Sequence, residues 1–232
     1  MSRRRVMTNI LLVLLALGLI WLGIRLFQDR RYNLISVLMA LSACVPFYYA
    51  YEKREGSIRR MVLLAVMTAL AVAGRFIFAM LPGFKPVTAI VILSGMYMGA
   101  EAGFLVGSLT AIISNMFFGQ GPWTPFQMFA WGIIGMIAGL PVMRNVLKRK
   151  PALIVYGIFT GFLYSALMDV WTVLSMDGTF NLWLYLAAML RAAPVTIEYM
   201  TANVVFLLLA AGPIGRKLER VRVKHGIFMN KE

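Results

Sequence analysis

The chain has 232 residues, of which 61% are hydrophobic and only 14% charged, with a mean hydropathy of +0.80. That composition excludes an ordinary water-soluble domain. The net charge of +14 does not point to nucleic acid, because the basic residues sit in short clusters between apolar runs rather than along one polar surface.

Apolar runs predict transmembrane helices near residues 6–27, 33–51, 59–81, 86–99, 102–118, 125–143, 152–174 and 188–212, each measured against the ~20 residues needed to cross a bilayer. The N-terminus, with Arg3, Arg4 and Arg5 ahead of the first run, resembles a signal peptide. No small-residue cleavage site precedes Arg25, Gln28, Asp29, Arg30 and Arg31, so the expectation is an uncleaved first helix. Cys44, the only cysteine, lies in the second run and cannot form an intrachain disulfide. The stretch Glu52 to Arg60 is a polar break. It divides a two-helix hairpin, 1–52, from a six-helix body, 59–224, with 225–232 as a tail. The fourth run is short and must tilt, sit inside the bundle, or join its neighbour through a tight turn.

Seventeen Lys and Arg fall in the N-terminus, 53–60, 144–150 and 216–231, against Arg25, Arg30, Arg31 and Lys85 on the other side. The positive-inside rule therefore puts both termini in the cytoplasm. Two stripes of small residues recur every fourth position: Ala65, Ala69 and Ala73, and Gly95, Gly99, Gly103 and Gly107. Such spacing lets helix backbones approach closely, either inside the chain's own bundle or against a second membrane subunit.

Charges inside the apolar zone are costly unless they pair or face a cavity. Arg75, Asp169, Arg191 and Glu198, all on the outer side, could form two internal ion pairs, with Arg75 and Arg191 reaching the outer headgroups. Alternatively they could line an outward cavity with the amides of Asn115 and Asn203. The outer loop Phe117 to Met128 mixes Gly119, Gly121, Pro122 and Pro125 with Gln120, Trp123 and Gln127. Glycine and proline there make a shaped wall, on which Trp123 could stack a flat solute or simply sit in the interfacial belt. Trp171, Phe180, Trp183 and Tyr185 raise the same alternatives near the last outer loop, as does Lys85 in Leu81-Pro82-Gly83-Phe84-Lys85-Pro86.

There is no phosphate-binding loop, zinc-binding His-Glu helix or serine nucleophile elbow, and His225 is the only histidine. Catalysis, a catalytic cofactor and a resident metal are therefore not expected.

Ala65, Ala69 and Ala73, the Lys85-Pro86 lead-in, Gly99-Ala100-Glu101-Ala102-Gly103 with Gly107, Gly119-Gln120-Gly121-Pro122-Trp123-Thr124-Pro125, and Gly132, Gly135 and Gly139 together resemble the S components of energy-coupling factor (ECF) transporters. The likeness covers about 59–224, and the N-terminal hairpin departs from it. The resemblance implies an all-α integral membrane protein of a bacterial or archaeal plasma membrane. It implies a subunit that captures a vitamin from outside and docks through Ala65, Ala69 and Ala73 on a transmembrane scaffold (T) subunit driven by two ATPases. The loop around Trp123 looks like the cobalamin-type members, so cobalamin or a related corrinoid is the expected substrate, with riboflavin or another vitamin as the alternative. The expected binding residues are Arg75, Lys85, Asn115, Gln120, Trp123, Gln127, Asp169, Trp171, Arg191, Glu198 and Asn203. A proton-coupled carrier using Asp169 or Glu198, and a structural membrane protein, are the competing readings.

Overall fold

The structure, a computed structural model, describes residues 58–225, so the expected hairpin at 1–52 and nearly all of the tail lie outside the described residues. Seven helices follow one another: α1 (Ile58–Ile77), α2 (Val87–Met98), α3 (Ala100–Phe118), α4 (Thr124–Ala138), α5 (Pro141–Val146), α6 (Lys150–Asp177) and α7 (Leu182–His225). α1, α3, α6 and α7 are long and apolar enough to cross a membrane. The result is a multi-pass all-α membrane bundle.

α2 has only 12 residues, and all but Tyr97 are buried. A helix apolar on every face belongs in the middle of a bundle, and α2 packs on α1, α3, α4 and α7. Gly99 alone links it to α3, with φ +100°, a backbone region that disfavours any residue with a Cβ. The short fourth run thus both sits inside the bundle and joins its neighbour through a tight turn.

The glycine stripe packs the bundle together. A Cβ at Gly95 or Gly103 would fall on the Gly135 carbonyl, one at Gly107 on the Trp131 backbone, and one at Gly139 on Ala100. α2, α3 and α4 therefore touch backbone to backbone, an approach that only small residues allow. The alanine stripe does the opposite. Ala65, Ala69 and Ala73 are exposed and line a groove of about 530 Å³ between α1 and α3. Met61, Val62, Val66 and Leu70 are also exposed on α1, as are Val155, Phe159 and Phe162 on α6, an apolar exterior suited to lipid.

Three sequence boundaries shift for local reasons. α1 stops at Ile77 because a turn through Phe78 to Leu81 leads into Pro82-Gly83. The run 125–143 breaks at Leu140, whose ψ of 142° is the extended conformation imposed by Pro141 behind it. α7 runs on through Pro194 and Pro213 to His225, carrying much of the basic C-terminal segment as helix. At this basic end Arg144 Nε donates to the Met96 carbonyl at 2.7 Å, satisfying one of the last carbonyls of α2.

Candidate functional site

The opposite end of the bundle carries the connections 78–86, 119–123 and 178–181, and beneath the first of these lies the polar centre. Arg75, in the last turn of α1, points into the bundle rather than to the surface. Its guanidinium donates to Ser114 Oγ and, at 2.7 Å, to Asn115 Oδ1. It also lies over two rings, 4.8 Å from the Phe118 centroid and 5.4 Å from that of Trp131, a cation–π arrangement.

From Asn115 a directed chain of hydrogen bonds runs across three helices. The Asn115 amide donates to Thr124 Oγ1 at 3.0 Å and to Gln127 Oε1 at 2.8 Å, and the Gln127 amide donates to the Tyr164 hydroxyl oxygen at 2.9 Å. Because Tyr164 accepts there, its own proton is left for another acceptor. Tyr164 stacks on Trp131 with centroids 5.2 Å apart and planes 16° apart, and meets Tyr199 edge-on at 5.1 Å. Trp131 Nε1 is buried with no partner among the described residues, a second donor awaiting an acceptor.

These groups enclose a cavity of about 90 Å³ lined by Arg75, Gly83, Lys85, Gln127, Trp131, Tyr164, Tyr199 and Asn203, among others. Its roof is the 78–86 connection. Glu198 on α7 holds the roof by accepting the Gly83 N–H at 2.9 Å, and Phe206 packs against Phe78 at 5.0 Å and Phe84 at 5.2 Å. Lys85 donates to the Pro82 carbonyl at 2.6 Å. Burial pushes the Lys85 ammonium below its usual range, Arg75 adds to the push, and Glu198 opposes it.

The expected site residues thus divide. Arg75, Lys85, Gln127 and Asn203 line the cavity, Asn115 stands behind it in the network, and Glu198 anchors its roof. The others are elsewhere. Gln120 binds the Ile112 carbonyl at 2.8 Å, and Trp123 packs over Gly121. Trp171 packs on Phe126 at 5.5 Å, and Arg191 is exposed. Asp169 lies in a separate cleft between α6 and α7, with Ser165 and Thr196, and its Oδ2 has no partner among the described residues. The two expected ion pairs are not formed: among the described residues none of Arg75, Asp169, Arg191 and Glu198 pairs with another. Arg75 finds neutral acceptors on α3 instead, so it does not reach for the headgroups. Sequence reasoning missed Trp131, Tyr164 and Tyr199. Trp131 lies one helical turn after Gln127, a spacing that puts both on one face; the two tyrosines carried no comparable signal inside long apolar runs.

Residues 55–220 match the family model described as ECF-type riboflavin transporter, S component. The chain belongs to this family. Of curated proteins and solved structures, none matches it. As an S component it is a non-catalytic membrane subunit of a vitamin-transport system, a family that works with a transmembrane scaffold and ATPase subunits. The cobalamin expectation drawn from the Trp123 loop finds no support in this match, whose description names riboflavin. In this S component Trp123 packs on its own loop's glycine and is not among the residues lining the cavity.

Proposed function

We propose that this S component captures riboflavin in the cavity beneath the 78–86 connection. The family match carries the substrate, since the model covering 55–220 is the riboflavin one. The chemistry of the cavity agrees with it. A flavin is a flat ring system edged with acceptor oxygens and nitrogens. The Trp131 and Tyr164 rings suit the flat face, while Arg75, Lys85, the Trp131 N–H and the spare Tyr164 proton suit the acceptor edge. Asn203 donates to the Gly157 carbonyl at 3.1 Å, leaving its own carbonyl oxygen to take the ring's imide N–H.

The cavity of about 90 Å³ is smaller than the roughly 300 Å³ or more of typical small-molecule pockets. Riboflavin entry therefore requires the roof to lift, breaking the Gly83–Glu198 contact. The roof end faces outside and the basic end the cytoplasm, as the positive-inside rule requires. Release into the cell then depends on docking of the scaffold on the exposed stripe Ala65, Ala69 and Ala73, powered by the ATPases. Residues 1–52 precede this 59–224 capture body in the chain.

Titration of the purified full-length chain tests this. Quenching of flavin fluorescence with saturable binding is expected, together with a riboflavin-dependent rise in melting temperature. Binding of cobalamin in preference to riboflavin would restore the corrinoid reading, and binding of no vitamin in a panel would remove the capture role.

A further inference from the structure

The hydrogen bonds behind the cavity run in one direction, and that direction has a single origin. A guanidinium can only donate, so the Arg75 bond to Asn115 Oδ1 at 2.7 Å fixes which end of the Asn115 side chain faces α1. The Asn115 NH2 group is thereby turned toward α4. Asn115 is 1% exposed, and an amide so enclosed keeps the orientation its neighbours impose. Its NH2 can meet only the oxygen of Gln127, at 2.8 Å, which leaves the Gln127 NH2 for the Tyr164 hydroxyl oxygen at 2.9 Å. Each orientation follows from the one before it, and Arg75 has no alternative.

A phenol can give or take a hydrogen bond. Tyr164 has lost that freedom: the Gln127 amide occupies its oxygen, and no acceptor for its proton stands among the described residues. The Tyr164 ring is 6% exposed and stacked on Trp131, so it does not swing away to find one. Donation into the cavity is what remains. Asn115 is not among the residues lining that cavity, yet the polarity passes through it.

We infer that Asn115 and Gln127 are positioning residues that carry the polarity of Arg75 to Tyr164 and fix Tyr164 as a donor. The cavity then selects a ligand with an acceptor at that point, an unprotonated ring nitrogen or a carbonyl oxygen, and rejects one that presents an N–H or O–H there. The inference rests on the riboflavin reading for its ligand, and on the hydrogen-bond geometry for its mechanism.

Asn115→Asp tests it, because aspartate has nearly the same shape and no donor. Its second oxygen takes the Gln127 amide, Gln127 turns its own oxygen to Tyr164, and the Tyr164 proton is consumed there. In the purified full-length chain riboflavin affinity should fall by roughly tenfold. The ligand-free melting temperature should be equal or higher, because the new carboxylate faces Arg75. Tyr164→Phe should lose a similar factor, and adding Asn115→Asp to it should change affinity by no more than about twofold. Losses that multiply would show that the two residues act separately and overturn the relay, as would unchanged affinity in Asn115→Asp. Should that variant not fold, Gln127→Glu takes its place in the same cycle, since its carboxylate accepts from both Asn115 and Tyr164.

The ligand side gives a readout that altered packing would not move. 5-Deazariboflavin removes one ring-nitrogen acceptor, and 2-thioriboflavin and 4-thioriboflavin each weaken one carbonyl acceptor. One of the three should bind the unaltered chain less tightly than riboflavin does, and bind Tyr164→Phe as tightly as riboflavin. The same ratios in both proteins for all three would overturn the inference. Binding of a different vitamin by the unaltered chain would overturn the riboflavin reading alone, and the mutant cycle with that vitamin then decides the relay; binding of none would overturn both.

Discussion

The two small-residue stripes have the same four-residue period and opposite fates. Gly95, Gly103 and Gly107 vanish into backbone contacts with α4, whereas Ala65, Ala69 and Ala73 stay open on a groove. Small-residue spacing reports that a close approach is possible, and it does not report the partner. The difference lies in what faces each stripe. α4 brings Gly132, Gly135 and Gly139 to the first, and no described helix covers the second. One stripe holds the fold together, and the other is available for assembly.

The glycine side breaks first. Gly103→Val would set its Cβ on the Gly135 carbonyl, backbone that cannot yield as a side chain could, and overpacking of a tight core costs about 1–3 kcal/mol or more. Little folded protein should survive detergent extraction, as read by size-exclusion chromatography. Ala69→Trp on the exposed stripe should leave riboflavin binding intact and abolish co-purification with the scaffold. Normal assembly of that variant would detach the stripe from docking.

Effects at the cavity should be smaller but specific. Arg75→Ala removes a charged donor to Ser114 and Asn115, a class of interaction contributing about 1.5–3 kcal/mol; riboflavin affinity should fall by roughly tenfold or more, with secondary structure unchanged by circular dichroism. Asp169→Asn replaces a carboxylate that has no partner among the described residues and should leave affinity unchanged, with an equal or higher melting temperature, because a charge in the apolar zone is costly. Loss of uptake in that variant with binding preserved would instead favour a proton-linked role. Trp123→Ala should have the least effect, changing affinity by no more than about twofold, since its ring packs on Gly121; a large loss would bring the 119–123 loop into the site.

Arg75 was legible in the sequence as a candidate because a charge inside an apolar run demands an explanation, and Lys85 and Gln127 because they stand among glycine, proline and aromatic residues in outer loops. Trp131, Tyr164 and Tyr199 were not, because a buried aromatic in a membrane helix looks like packing until its neighbours are known. Trp171 and Arg191 misled for the converse reason: position near the outer face does not specify which side of the helix a residue occupies. Asp169 and Trp171, two residues apart on α6, lie in different surroundings, one in the α6–α7 cleft and the other against Phe126.

The sequence by itself determined the solvent and the all-α membrane class, because apolar run length and composition follow from the thickness of the bilayer and need no tertiary information; the family came from the resemblance of the small-residue and loop motifs, which the match over 55–220 bears out. Only the tertiary structure decided which stripe was buried, that Arg75 binds neutral acceptors instead of a carboxylate, and that Tyr164 is left with a proton to donate. Those outcomes depend on which helix faces meet, and that is set by packing between segments far apart in the chain.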